Sequence, residues 1–224
     1  MSGHVKSFEN FLNNEFANAC YEDLTENIRF VPHVYAKMTK MQCAERPLGS
    51  VYDGEFLRDH ETQATKKSQH VFRLFEEQKF ISFVSEIVGE PITFIRPATP
   101  YKFTYGNYLC LHDDMSHPYH AYEVVLNLTK NWKKSYGGYS IGGHVLRRED
   151  AYTPKGLPFQ MQRIVLDTGK PHYCAIPEFN KLTVLKLDEN LCHGTSTIRV
   201  NKQRIVVACI YTNMLEKKIT TKWL

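Results

Sequence analysis

The sequence predicts an α+β fold that is mainly β: a double-stranded β-helix, or jelly roll, with N-terminal helices packed on one face. Two observations predict it. Before residue 90, apolar side chains recur at helical spacing in two segments. After Ile92, short runs rich in Val, Ile, Thr, Tyr and Phe alternate with clusters of Gly, Pro, Asn and Asp, as they do in sandwiches and barrels.

Composition is that of an ordinary globular chain. The 224 residues are 42% hydrophobic and 23% charged, with a net charge of +4, and we expect one domain over 1–224, with a helical front at 1–90 and a jelly-roll core at 91–212. The mild charge, without long basic runs, argues against a nucleic-acid partner. No apolar leader and no 18-residue apolar stretch is present, so we expect no membrane association. Six scattered cysteines without a C-x-x-C pair fit a reducing, cytoplasmic location.

The helical front is predicted from its aromatic and aliphatic stripes. Residues 5–28 carry such a stripe, which Pro32 limits, and residues 33–58 are predicted to be loop. Residues 60–88 carry a second stripe that ends at Gly89, a helix stop signal. Both stripes are interpreted as core-packing faces.

Eight strands are predicted in the core from their β-branched and aromatic content. They lie near 92–96, 101–104, 108–115, 120–128, 138–144, 161–167, 182–187 and 204–212. The stretch 145–160 is the most loop-like part of the core and could form a flap.

The tripeptide His112-Asp113-Asp114 interrupts a stretch that otherwise has strand character. Side chains two apart in a strand share a face, so His112 and Asp114 are predicted to project together and Asp113 to project the other way. A solvent-exposed turn is the alternative for this tripeptide alone. If the shared face is the barrel interior, the buried carboxylate needs a cation, and a metal would supply it.

A third metal ligand is available in "LDENLCHGTS". His193 follows an apolar strand, and two histidines with one carboxylate form the facial triad of non-haem Fe(II) oxygenases. Eleven residues later, Arg204 opens the apolar run "IVVACIY". A permanent cation entering a core strand needs an anionic partner, and a dicarboxylate ligand could provide one.

These residues together resemble the Fe(II)/2-oxoglutarate-dependent oxygenases, in particular the prolyl-4-hydroxylase-like branch and small bacterial amino-acid oxygenases. The resemblance is carried, in order, by "YGNYLCLHDD", "VVLNLTKNWKKSYGG", "IPEFNKLTVLKL", "CHGTS" and "QRIVVACIY". It covers about residues 90–212. Two features depart from it. Phe103 stands where many members carry a Tyr that contacts 2-oxoglutarate, and Tyr101 and Tyr105 are either its substitutes or packing residues. His117 and His120 stand where members often carry a basic pair. Those two histidines either touch substrate or have no catalytic role.

The resemblance implies that His112, Asp114 and His193 hold Fe(II), that Arg204 binds the far carboxylate of the cosubstrate 2-oxoglutarate, and that O2 is consumed. It implies a dioxygenase that hydroxylates a C–H bond of a small molecule such as an amino acid. A peptidyl, prolyl-type hydroxylase is the alternative. Two further alternatives are a non-catalytic jelly-roll binding module, which would not need Arg204, and a zinc hydrolase, for which no general base other than Asp113 stands out near the triad.

Overall fold

The protein was studied in a computed structural model. The structure describes residues 5–35, 39–44, 66–114, 121–150, 162–169 and 171–213. Within these ranges three α-helices, one short 3-10 helix (Lys134–Tyr136) and twelve strands are present. The helices are α1 (Asn14–Glu26), α2 (Lys66–Leu74) and α3 (Gln78–Val88). The strands are β1 (Val5–Phe8), β2 (Phe30–Tyr35), β3 (Thr39–Ala44), β4 (Thr93–Phe103), β5 (Tyr108–His112), β6 (Tyr122–Asn127), β7 (Ser140–Asp150), β8 (Gln162–Leu166), β9 (Tyr173–Ala175), β10 (Lys181–Lys186), β11 (Leu191–Thr195) and β12 (Arg204–Thr212).

The strands form two curled antiparallel halves. Their order is β1-β10-β6-β12-β4-β3-β5-β11-β7-β8, with β2 on β3 and β9 on β7. One half is β1-β10-β6-β12-β4, the other is β5-β11-β7 with β8 and β9, and β3 connects them by pairing with both β4 and β5. This arrangement confirms the predicted jelly roll.

The main core lies between the helices and the outer face of β10, β6 and β12. Period-2 alternation sends Val124 and Leu126 of β6 outward, where both are fully buried against the helices. Phe72, Phe75 and Leu24 fill the helical side of this layer. The helices therefore pack on one face of the jelly roll, as the sequence predicts.

The opposite face of the same strands lines the interior between the two halves. A small cluster of Phe103, Ile198 and Val206 is buried there, with Tyr101 and Leu109 packed against it. Within the part of the chain described, no helix combines the length and hydrophobicity needed to cross a membrane.

The predicted boundaries of the front needed correction. Residues 5–8 form a strand that pairs with β10 rather than the start of a helix, and α1 begins only after Asn13, whose side chain accepts from the backbone N–H of Glu15. The predicted loop 33–58 contains the end of β2 (33–35) and strand residues 39–44, which pair with β2, while residues 36–38 and 45–65 lie outside the described ranges. Of the predicted helical segment 60–88, the described residues 66–88 form two helices separated by a turn. The second helix ends at Gly89, which has a left-handed φ of 80°, as predicted.

The predicted strands of the core also changed. The segments 92–96 and 101–104 are one strand, β4, because Pro100 is accommodated within it opposite Val207 of β12. Strands β9 and β11 were not predicted. The predicted loop 145–160 begins as strand, since β7 extends to Asp150, and residues 151–160 lie outside the described ranges.

Candidate metal centre

The His-Asp-Asp segment lies at the end of a strand, not within one. β5 ends at His112, two residues short of Asp114, which has a left-handed φ of 57°. Strand periodicity therefore does not apply to Asp114, although His112 and Asp114 do come together as predicted. Asp tolerates this backbone region better than most residues. The turn of the chain brings the carboxylate back toward the end of β5.

Three side chains meet at this point. Asp114 Oδ1 is 3.6 Å from His112 Nε2, and Asp114 Oδ2 is 3.5 Å from His193 Nε2. One potential ligand atom from each residue lies within 4.8 Å of the others. Two imidazole nitrogens and one carboxylate oxygen form a donor set suited to non-haem iron.

The histidines are positioned by pairing between β5 and β11. In this register His193 lies opposite His112, and the two rings have centroids 4.2 Å apart. The adjacent Gly194 permits the close approach, because a Cβ there would lie 2.6 Å from the carbonyl oxygen of Leu109. Without that glycine the two strands could not pair at this distance.

The hydrogen bonds at the site leave the Nε2 atoms of both histidines available to a metal, which would displace any proton on them. His112 Nδ1 lies 2.9 Å from the carbonyl oxygen of Cys110, to which it can only donate a proton. That bond fixes the tautomer, so Nε2 of His112 carries the lone pair. His193 Nε2 is buried and makes no well-formed hydrogen bond among the described residues, although it lies within ion-pair distance of two carboxylates, 3.5 Å from Asp114 Oδ2 and 3.3 Å from Glu123 Oε2. The residues present therefore fit a metal ion.

A second carboxylate, Glu123 of β6, lies beside the triad. Its Oε2 is 3.3 Å from His193 Nε2. Burial raises the pKa of Glu123. Burial lowers the pKa of His193, but Asp114 and Glu123 outweigh it and raise that pKa to about 9. The expectation that no carboxylate other than Asp113 lies near the triad was wrong. The signal was an acidic residue in the apolar run "AYEVVLNL", the same kind of signal that pointed to Asp114.

Asp113 turns away from the triad, as predicted. Its Oδ2 accepts from Nη2 of Arg148 at 2.7 Å and from Nε at 3.0 Å. The guanidinium of Arg148 also donates to the carbonyl oxygen of Glu189. This contact connects the turn after β5 to the end of β7.

Arg204 is buried in the interior, with only 3% of its surface exposed. Its guanidinium donates to the hydroxyl oxygens of Thr195 at 2.7 Å and Ser140 at 2.9 Å, while Nε has no partner. Both hydroxyls are neutral, and Arg204 forms no ion pair with any described residue. Burial lowers the pKa of Arg204 to about 10, against the opposing effects of Glu123 and Tyr173, so the side chain remains a cation at neutral pH.

Phe103, which stands where many members of the family carry a Tyr, contacts Arg204. The Arg204 guanidinium carbon lies 5.2 Å from the Phe103 ring centroid, within the range of a cation–π contact. Tyr105 is 67% exposed and cannot replace the missing Tyr in the interior. Tyr101 packs against the interior cluster of Phe103 and Val206. His117 and His120 lie outside the described residues.

Comparisons with solved structures identify the architecture. An oxidoreductase of the 2OG-Fe(II) oxygenase family from Burkholderia pseudomallei superposes with a TM-score of 0.58 at 15% identity, covering 94% of this chain and 86% of that one. A Pseudomonas putida prolyl-4-hydroxylase gives 0.57 at 12% identity, with 93% and 92% covered.

The fold is that of the 2-oxoglutarate–Fe(II) oxygenases.

A prolyl hydroxylase from Trichoplax adhaerens, in complex with a hypoxia inducible factor oxygen degradation domain peptide fragment, gives a TM-score of 0.57 at 13% identity, with 99% of this chain and 89% of that one covered. No protein-family model matches the sequence, and no curated protein matches it significantly. The predicted resemblance is thus confirmed at the level of the fold.

Proposed function

We propose that this chain is an Fe(II)- and 2-oxoglutarate-dependent dioxygenase. The observation that carries the proposal is the pairing of two features in one interior. The triad of His112, Asp114 and His193 offers three converging ligand atoms, and the buried Arg204 lacks an ion-pair partner among the described residues. A metal fits the first feature, and a dicarboxylate cosubstrate fits the second.

The chain's own residues would hold the metal in a fixed arrangement. Cys110 holds His112 through its carbonyl oxygen, the β5–β11 register places His193, and the left-handed turn aims Asp114. When bound, iron with 2-oxoglutarate and O2 supplies the oxidising power to hydroxylate an unactivated C–H bond. Three protein ligands leave coordination positions open for that chemistry.

Arg204 would bind the far carboxylate of 2-oxoglutarate. Thr195 and Ser140 hold the two terminal nitrogens, and Phe103 supports the guanidinium carbon. The cation is therefore oriented before the cosubstrate arrives, which reduces the entropy lost on binding. Oδ1 of Asn127, which lies on the same face of β6 as Glu123, is also buried and has no hydrogen-bond partner among the described residues.

For the substrate we propose a small molecule such as an amino acid. A peptidyl hydroxylase is the second candidate, because two structures with this fold are prolyl hydroxylases and one of them was solved with a peptide. The zinc hydrolase remains weaker even though Glu123 could act as a base, because hydrolysis gives no role to Arg204. A non-catalytic binding module gives no role to the triad.

The test is a turnover assay. Protein is loaded with Fe(II) and 2-oxoglutarate without oxygen, exposed to air, and screened against free amino acids and proline-containing peptides for succinate release. We expect succinate to increase with one class of compound and to require all three triad residues. If succinate forms equally without Fe(II), or if hydrolysis products appear in its place, the proposal is wrong.

A further inference from the structure

Glu123 is an interior carboxylate that the proposed chemistry does not use. Its neighbours on β6, Tyr122 and Val124, face the helical core, so the side chain of Glu123 points into the barrel. It is 18% exposed, and its Oε2 lies 3.3 Å from His193 Nε2. A carboxylate this enclosed is costly unless a cation or several donors accompany it.

His193 is the only ion-pair or hydrogen-bond partner of Glu123 among the described residues. The same nitrogen, Nε2, also faces Asp114 at 3.5 Å and is the atom available to a metal. An imidazole nitrogen that binds a metal carries no proton, so it cannot donate to Glu123 at the same time. Metal binding therefore removes the one partner that the described structure gives this carboxylate.

The formal charges of a loaded site would leave one carboxylate without a cation. Fe(II) and the 2-oxoglutarate dianion would cancel, and both histidines would be neutral as ligands. The single cation Arg204, whose charge acts on Glu123, would then face two carboxylates, Asp114 and Glu123, so one negative charge would remain uncompensated in the interior. The cosubstrate cannot compensate it, because 2-oxoglutarate is itself an anion.

We propose that Glu123 selects a substrate that carries a cationic nitrogen, either an ammonium or a guanidinium group. The inference rests on the proposed function and names the substrate class for that site. Because Glu123 lies at hydrogen-bond distance from a metal ligand, a nitrogen bound to it lies close to the metal. The oxidised carbon is therefore close to the cationic nitrogen in the substrate.

The test uses small probes of matched size that differ in charge. Pentylammonium is compared with 1-pentanol, and butylguanidinium with butylurea. Each is titrated into the oxygen-free Fe(II)–2-oxoglutarate protein, and binding is followed by the change in the metal-to-ligand charge-transfer absorbance. We expect each cation to bind at least about tenfold more tightly than its neutral counterpart, because its contact with Glu123 is charge-assisted.

Glu123→Gln is expected to remove this preference and bring the cation and neutral probe within about threefold of each other. Glu22→Gln is the matched control, since it removes the same charge from an exposed residue of α1 that faces Lys130. Iron affinity, measured by titration in each variant, is expected to stay unchanged in Glu123→Gln.

Three results would overturn the inference. If the parent forms no charge-transfer band at all, the proposed function and the inference fail together. If the band forms but cations bind no better than neutral probes, only the inference fails. If Glu123→Gln loses iron as severely as His193→Ala does, Glu123 is a metal ligand and does not select substrate charge.

Discussion

Replacing Arg204 with Leu should disable cosubstrate binding while leaving the metal site intact. The guanidinium is 3% exposed, and its two hydrogen bonds go to neutral hydroxyls at 2.7 and 2.9 Å. The positive charge of Arg204 is thus available to bind one carboxylate of 2-oxoglutarate. Losing such a buried charge-assisted contact costs about 2–5 kcal/mol of binding free energy. This corresponds to a Kd for 2-oxoglutarate that is roughly 30-fold to several thousand-fold higher.

Arg204→Lys separates charge from geometry. Lys keeps the positive charge but cannot hold both hydroxyls in a planar fork, so we expect 2-oxoglutarate binding to weaken on the order of tenfold. Arg147→Leu is the matched control, because Arg147 is exposed and pairs with Glu149 on β7. It should bind 2-oxoglutarate like the parent.

The assay is titration of 2-oxoglutarate into oxygen-free Fe(II) protein, read by charge-transfer absorbance, with iron affinity measured separately. Iron binding should change little in Arg204→Leu, since Arg204 is not among the three converging ligand residues. A Kd for 2-oxoglutarate equal to that of the parent would refute the reasoning. Arg204 would then have a purely structural role beside Phe103, and another cation would have to bind the cosubstrate.

Three further predictions concern the site and its supports. Asp114→Gly should abolish iron binding, measured by titration. Because glycine suits the φ of 57° at this position, denaturant unfolding should show a fold that is as stable as the parent or up to about 1 kcal/mol more stable. Unchanged iron affinity would show that Asp114 is not a ligand. Asn180→Ala should lower the unfolding free energy by about 2–4 kcal/mol, since the buried amide bonds both the N–H and the carbonyl oxygen of Leu12; a calorimetric melting temperature equal to that of the parent would contradict this. Gly137→Ala should lower the unfolding free energy by about 3 kcal/mol or more, because the added Cβ would lie 2.1 Å from the Thr197 carbonyl oxygen. Gly169→Ala is the control: it has a similar φ but open space around it, and should lower the unfolding free energy by about 1 kcal/mol. Equal losses of unfolding free energy would show that the close contact does not matter.

The fold class could be predicted because its signals are local and repeated. Short runs of β-branched and aromatic residues, separated by turn residues, indicated most core strands, and helical stripes indicated the residues that cover them. The errors fell where tertiary contacts override local preference. Residues 92–96 and 101–104 were predicted as two strands, yet β4 continues through Pro100, which lies opposite Val207. β11 was not predicted, and it contains Gly194, which is needed for the close approach to Leu109.

The candidate site was predicted from residue types more successfully than from geometry. The two-residue periodicity of a strand does not predict the left-handed backbone at Asp114, because Asp114 lies beyond the end of β5. Glu123 was not predicted as a site residue, because a single acidic residue in a strand does not indicate which face of the strand it occupies or which residues lie opposite it. Glu123 comes close to His193 only because β6, in one half of the jelly roll, faces β5 and β11 in the other half.

The central claim is that His112, Asp114 and His193 hold an iron ion to which 2-oxoglutarate binds directly. Oxygen-free titration of the protein with Fe(II) and then with 2-oxoglutarate tests this most directly. We predict a visible charge-transfer band that saturates at one 2-oxoglutarate per chain and is absent in His193→Ala. A parent protein without the band, or a His193→Ala variant with the same band and the same stoichiometry, would contradict the account.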